Sequence, residues 1–217
     1  MQPQTKNSIP DRVKRGQSGV QGFNPWWGAG AKPLPAGGPV EKGDSYMPTP
    51  IETIIAAREL LRDLTPLKSN CGRICGGACC QPDPEEEGEN GMLLFPHEEE
   101  LYRDEIEGFP FHLADDNTLV EGGKRFVCEG KCVREHRPLA CRIFPLRMSV
   151  KPDGHVEAEI DPRAWWICPL CEQGGLRAMS GAFVEAVKQA GEKLCENDEL
   201  RAALLREQQM IDETRHL

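Results

Sequence analysis

Long apolar runs are missing from this sequence, aromatic residues are few, and positive charge is outnumbered by negative. No run approaches the roughly 18 apolar residues of a membrane-spanning helix, so no membrane partner is expected. Aromatic residues make up 6% and apolar residues 39% of the 217. A chain this thin in bulky side chains is expected to leave part of itself unpacked, or to be held by something other than apolar burial. The formal net charge of −9 argues against a broad electrostatic grip on nucleic acid, which needs clustered Lys and Arg. No Ser/His/Asp arrangement, phosphate loop or dinucleotide fingerprint stands out. Gly28-Ala29-Gly30 falls in a stretch too rich in Pro and Gly to build one. The opening residues Met1-Gln2-Pro3-Gln4-Thr5-Lys6 lack the apolar core of a secretory signal, so a cytoplasmic, reducing location is expected.

Cysteine, by contrast, is abundant. Nine of the ten lie between Cys71 and Cys171, and only Cys195 stands apart. In a reducing compartment dense cysteine points to metal or redox chemistry; disulfide pairing is the alternative and requires an oxidising one. Thiolate sulfur is a soft ligand suited to zinc, copper(I) and iron–sulfur clusters. The cysteines fall into three groups: Cys71, Cys75, Cys79 and Cys80; Cys128, Cys132 and Cys141; and the Cys168-Pro169-Leu170-Cys171 pair. Gly72, Gly76 and Gly77 free the first group's backbone to turn its sulfurs toward one point. Nine thiols exceed what one tetrahedral ion uses, and Cys79 and Cys80, being adjacent, are not expected to chelate one ion easily. Two metals or one multinuclear cluster are therefore expected. Arg73, Arg134, Arg137 and Arg142 lie among the thiols, either to offset thiolate charge or as plain surface residues. His136 is the one histidine placed to serve as a further ligand. A radical-chemistry cluster would space three cysteines by three and then two residues; Cys71, Cys75 and Cys79 are spaced by three and three.

The remainder reads as a frame. Residues 1–48 hold 7 of 18 prolines and 8 of 22 glycines, a composition that cannot offset the entropy of ordering; a disordered arm is expected, with Trp26-Trp27 as a docking motif or a surface feature. Thr49, Pro50 and Glu52 write a capping box for a helix carrying Ile51, Ile54, Ile55, Leu60, Leu61 and Leu64 and stopping at Thr65-Pro66. Gln81 to Gly91 is an acidic, solvated loop. A short helix is expected over 97–106 and brief strands over 111–127, with turns at Asp115-Asp116-Asn117 and Gly122-Gly123. Leu146, Met148 and Val150 alternate before Pro152-Asp153-Gly154, and Val156, Ala158 and Ile160 alternate after it, which predicts a hairpin. Trp165 and Trp166 are expected to pack over the cluster or in the core. Phe183, Val187, Ala190 and Leu194 share a helical face, and Asn197 caps a second helix carrying Leu200, Leu204 and Ile211.

Cys71-x3-Cys75-x3-Cys79-Cys80, followed by Cys132-Val-Arg-Glu-His-Arg137-Pro138-Leu-Ala-Cys141-Arg142-Ile-Phe144-Pro145, resembles the YkgJ-type cysteine-cluster family, described as a zinc- or iron-chelating domain and in some members as iron–sulfur proteins. The resemblance spans about residues 71 to 172. It implies Cys71, Cys75, Cys79, Cys80, Cys128, Cys132 and Cys141 as ligands, with Arg137, Pro138, Arg142 and Pro145 as framework; Cys168 and Cys171 join the ligand set on spacing alone. Both gaps in the first group are three residues here, whereas the family usually has a gap of two in that group. One branch of the family resembles flagellin lysine methylases, which implies group transfer as an alternative.

The expected fold class is α+β: a small, loop-rich, metal-organised domain with short β-hairpins, one N-terminal helix and a C-terminal helical hairpin. Its parts are the arm at 1–48, a cysteine-cluster domain at 49–175 and C-terminal helices at 176–217 packed on it. The expected function is a cytoplasmic protein that binds zinc or iron, including iron as an Fe–S cluster. The alternatives are a metal-dependent redox or group-transfer enzyme and an adaptor with a structural metal and a protein partner.

Overall fold

Thr49 opens the first helix as its neighbours dictate. Its hydroxyl accepts from the Glu52 amide at 3.4 Å while the Glu52 carboxylate accepts from the Thr49 amide at 2.9 Å, which satisfies two otherwise orphaned donors. In the computed structural model, which describes residues 47–68, 71–81, 91–128 and 133–214, this helix is α1, Pro50–Leu60. The arm up to residue 46, the acidic stretch 82–90 and Cys132 lie outside the described residues.

α1 ends earlier than its apolar pattern predicts. Leu61 leaves helical geometry at φ −107°, ψ 7°, and the carbonyls freed there are taken by one distant guanidinium. Arg134 donates to Arg62 at 3.2 Å, to Leu61 at 3.3 Å and also to Leu64. Ile54 and Leu61 are fully buried, whereas Ile55 and Leu60 are 50% and 38% exposed. Each of those two sits about 100° round the helix from its buried neighbour, so both cannot face inward.

After α1 come α2 (Gly72–Cys75), β1 (Met92–Leu93), β2 (Phe111–Asp115), β3 (Lys124–Cys128), α3 (Leu139–Ile143), β4 (Leu146–Val150), β5 (Val156–Ile160), α4 (Pro169–Glu172), α5 (Gly181–Leu194) and α6 (Asp198–Thr214). The fold is α+β, with short antiparallel hairpins and C-terminal helices. β2 and β3 pair in the register Phe111↔Cys128 to Asp115↔Lys124, with β1 on the other side of β3. Their inner face is aromatic: Tyr102 and Phe111 lie 4.7 and 4.9 Å from Phe126, ring centre to ring centre, and Phe109 joins them at 5.4 Å.

β4 and β5 form the expected hairpin, Leu146↔Ile160 to Val150↔Val156, turning at Gly154 with φ 90°. Every residue of β4 is buried, so helices cover both of its faces. On one side α5 brings Phe183, Val187, Ala190 and Leu194 into a common core with Ile54, Ala57 and Leu61 of α1 and Met148 and Val156 of the hairpin. α5 approaches so closely at Gly191 that a Cβ there would stand 2.6 Å from Val156 Cγ1. On the other side Arg147 reaches Asp212 of α6 at 2.7 Å and Glu159 at 2.9 Å. Gln208 of α6 accepts from the Val150 amide at 2.8 Å and donates to its carbonyl at 3.3 Å, closing part of a bare sheet edge.

α5 and α6 are thus constituents of the main core rather than additions to it, and the described residues belong to one compact unit. No described helix is long and apolar enough to cross a membrane.

Candidate metal centre

The loop that carries the first cysteine group is built by two consecutive left-handed glycines. α2 stops at Gly76 with φ 64°, Gly77 follows at φ 78°, and a single 3₁₀ turn, Ala78–Cys80, runs back. Side chains with a Cβ resist that conformation, and nothing crowds either glycine within 4 Å, so backbone conformation rather than space selects them. Gln81 closes the loop by donating from its side chain to the Gly76 carbonyl at 3.2 Å.

This reversal turns Cys79 and Cys80 back so that the charges of Cys75 and Cys71 reach Cys79. Cys79 and Cys80 lie 3.9 Å apart, sulfur to sulfur. Two thiolates on one tetrahedral zinc, each bonded at about 2.3 Å, stand ~3.8 Å apart. Adjacency in sequence therefore does not keep these two from one ion, contrary to the expectation from spacing. The pair shares a proton: that hydrogen bond, helped by Arg137, takes Cys80 down to about 6 against the opposing effect of burial. The same bond, then burial and the charges of Cys80, Cys75 and Cys71, pushes Cys79 upward. Burial raises Cys71, and the neighbouring thiols Cys75 and Cys168 add to it. Cys168 is thus a thiol from a distant segment whose charge reaches the loop. Its partner Cys171 is 2% exposed, and burial followed by Cys168 pushes it up to about 11.

The second cysteine group has a different setting. Cys128 ends β3 opposite Phe111 and packs against the aromatic cluster. Cys141 lies in α3, where its charge acts on Tyr102. The His136 ring is 6.5 Å from Phe109, and its Nε2 stands 3.4 Å from Glu135. Among the described residues no three His, Cys, Asp or Glu side chains converge as a ready-made metal cage. What the structure offers is a soft donor set on one loop, a pair of sulfurs at a single ion's spacing, and a cation beside them. That donor chemistry fits zinc or iron.

The segment between the groups is held by buried charges. Glu98 is fully buried; its carboxylate accepts from the Leu139 amide at 2.7 Å and the Phe95 amide at 3.4 Å. Burial raises its pKa, opposed by Arg58 and Arg142. Arg142 donates to the carbonyls of Glu135 (2.5 Å), Arg137 (2.9 Å) and Arg58 (3.4 Å). Arg58 lies over the Tyr102 ring at 5.7 Å, and the Tyr102 hydroxyl donates to the His136 carbonyl at 2.8 Å. Of the four arginines read as thiolate counter-ions, Arg134 and Arg142 are engaged on backbone carbonyls. Arg137 is the one whose charge reaches Cys71 and Cys80.

Trp165 and Trp166, expected over the cluster or in the core, are 44% and 94% exposed. Ala164 at 0% and Leu170 at 5% take the inward positions of that turn and leave the indoles outside. Comparison with protein-family models, with curated proteins and with solved structures finds no match to this chain.

Proposed function

We propose that the chain is a thiolate metal-binding protein that holds zinc or iron, iron including the form of an Fe–S cluster. Cys71, Cys75, Cys79 and Cys80 are the core of the donor set, Cys168 adjoins it, and Cys128, Cys132 and Cys141 are the further donors. The observation that carries this reading is the Gly76-Gly77 reversal, which sets Cys79 and Cys80 at 3.9 Å beside Arg137. A solvated loop has no need of two thiols held at that spacing with two more in the same loop, whereas an ion has. The likeness to YkgJ-type cysteine-cluster proteins supports the same reading. Bound there, the metal would supply cross-linking of the loop and, as iron, electron transfer; Arg137 would offset part of the thiolate charge.

The test is metal analysis with a visible absorption spectrum on protein purified without oxygen, beside Cys75→Ser and Cys141→Ser. Iron with sulfide and a brown charge-transfer band indicates a cluster, and colourless protein with zinc indicates a tetrahedral site. Metal-free protein, or full metal content in both variants, ends the proposal. Exposure of Cys79 favours a second reading, a metal-dependent redox or group-transfer enzyme, since an accessible side of the site is what a reactant needs. A fully ligated, closed site by X-ray absorption counts against it.

A further inference from the structure

Of the five residues of α3, Leu139, Ala140, Arg142 and Ile143 are each 7% exposed or less, and Cys141 is the one left partly exposed. Long-range contacts hold that setting. Leu139 and Ile143, four apart and so on one face, belong to the main core. In the strap that leads into the helix, side chains take the carbonyls of three successive residues. Arg142 and Arg58 donate to Glu135 at 2.5 and 3.3 Å, Tyr102 to His136 at 2.8 Å, and Arg142 to Arg137 at 2.9 Å. The first amide of the helix, that of Leu139, donates to Glu98 at 2.7 Å.

Glu98 and Tyr102 come from one 3₁₀ turn, Glu98–Tyr102, and are 0% and 4% exposed. Within the run His97-Glu98-Glu99-Glu100 only Glu98 is buried. His97, directly before it, has φ 69° and is the non-glycine residue with positive φ among the described residues, a conformation that L side chains resist. A serine or aspartate just ahead of α3 would cap it as well, but Pro138 stands there and offers no side-chain cap. The cap comes instead from a residue 41 positions away. Such a cap does more than stabilise a short helix: it fixes where the helix begins relative to the rest of the fold.

We propose that Glu98 is a positioning residue for Cys141: by holding the Leu139 amide it fixes the start of α3, and with it the place from which Cys141 donates to the metal. The proposal rests on the reading of Cys141 as a donor. Groups that orient a metal ligand typically change affinity about 10- to 100-fold when removed. An effect of that scale is expected here, acting through Cys141.

The test titrates zinc into metal-free, full-length protein under argon, in competition with a chromophoric chelator, at a temperature where circular dichroism shows each variant folded. The variants are Glu98→Asp, Cys141→Ser and the two combined. Asp keeps the charge but is one methylene short of spanning the Phe95 and Leu139 amides. Glu98→Asp should weaken zinc binding about 10- to 100-fold. In the Cys141→Ser background it should weaken it no further, because a group that acts through one thiol has nothing to act on once that thiol is gone. Glu98→Gln, which keeps the length and one acceptor oxygen, should bind close to wild type. Phe183→Ala, a core variant, should bind as wild type does and so separates position from stability. Wild-type affinity in Glu98→Asp, the same loss with and without Cys141, or a parallel loss in Phe183→Ala would overturn the proposal and leave the metal reading in place. Wild type without zinc affinity, or Cys141→Ser as tight as wild type, would remove Cys141 as a zinc donor and this proposal with it; the anaerobic metal analysis then decides the metal reading by itself.

Discussion

The hairpin-and-helix half of the molecule and the cysteine loop are built on opposite principles. In the first, Met148, Val156, Phe183, Val187 and Leu194 are all 7% exposed or less, and position is enforced by packing. In the second, neither α2 nor the 3₁₀ turn at Ala78–Cys80 contains a buried residue. Its shape rests on two left-handed glycines and the Gln81 hydrogen bond. Ile74 is 53% exposed there, so the loop does not even bury the apolar side chain it owns. The difference teaches that the loop's conformation is set by its own backbone and not by packing, while the core supplies the stability on which such a loop can rest.

If that division is right, damage to the core should leave the loop's chemistry intact. Phe183→Ala removes a side chain that is 0% exposed and should cost about 3–5 kcal/mol by urea or thermal denaturation. Metal content measured well below the new midpoint should equal wild type. Parallel loss of metal and stability would mean that the two regions are one cooperative site.

Glu98 probes a third kind of anchorage, a buried charge held by backbone amides and arginines. Glu98→Leu strands two amides and two buried guanidinium neighbours, and should cost about 3 kcal/mol. Glu98→Gln keeps an acceptor and should cost about 1 kcal/mol. The pH dependence carries a sign. The folded carboxyl holds its proton above its ordinary 4.5 because burial outweighs Arg58 and Arg142. Its contribution is therefore complete below that value and declines as pH rises through the folded pKa. Glu98→Gln should look most damaging in acid and least damaging at neutral pH; the reverse slope would show the arginines outweighing burial.

Gly76→Ala sets a backbone cost against a chemical one. At φ 64° a Cβ costs about 1–2 kcal/mol, and so it does at Gly154, φ 90°, in the hairpin turn. The two variants should be similarly destabilised, but only Gly76→Ala should lose metal, because only there does relaxation swing Cys79 and Cys80 away from Cys71. Equal metal content in both would mean that the reversal does not position the thiols.

Local chemistry made much of this legible in advance. The alternation of Leu146, Met148 and Val150 against Val156, Ala158 and Ile160 admits few structures besides a hairpin, and Phe183, Val187, Ala190 and Leu194 recur at helical spacing. Thr49 and Glu52 cap where they should, and Asn197 accepts from Glu199 and Leu200. The long-range relations were not legible. Glu98 stands in the run His97-Glu98-Glu99-Glu100, which reads as a solvated face; only tertiary contact selects one of its carboxylates for burial. Arg134 and Arg142 read as partners for thiolates because they are near cysteines in sequence, while the fold spends them on carbonyls more than 70 residues away as well as nearby. The charge of Cys168 reaches Cys71 across a separation that no spacing rule spans.

The smallest expected effect separates surface from scaffold most cleanly. Trp166 is 94% exposed, whereas a tryptophan packed over a metal loop or in a core would be covered. Trp166→Ser should change stability by no more than about 0.5 kcal/mol, because the inward places of its turn belong to Ala164 and Leu170. Metal content should hold as well, since no loop sulfur depends on the indole for position. A loss near that of Phe183→Ala would show the side chain folded back onto the molecule, and the division between a packed half and an open one would have to be redrawn to place Trp166 inside.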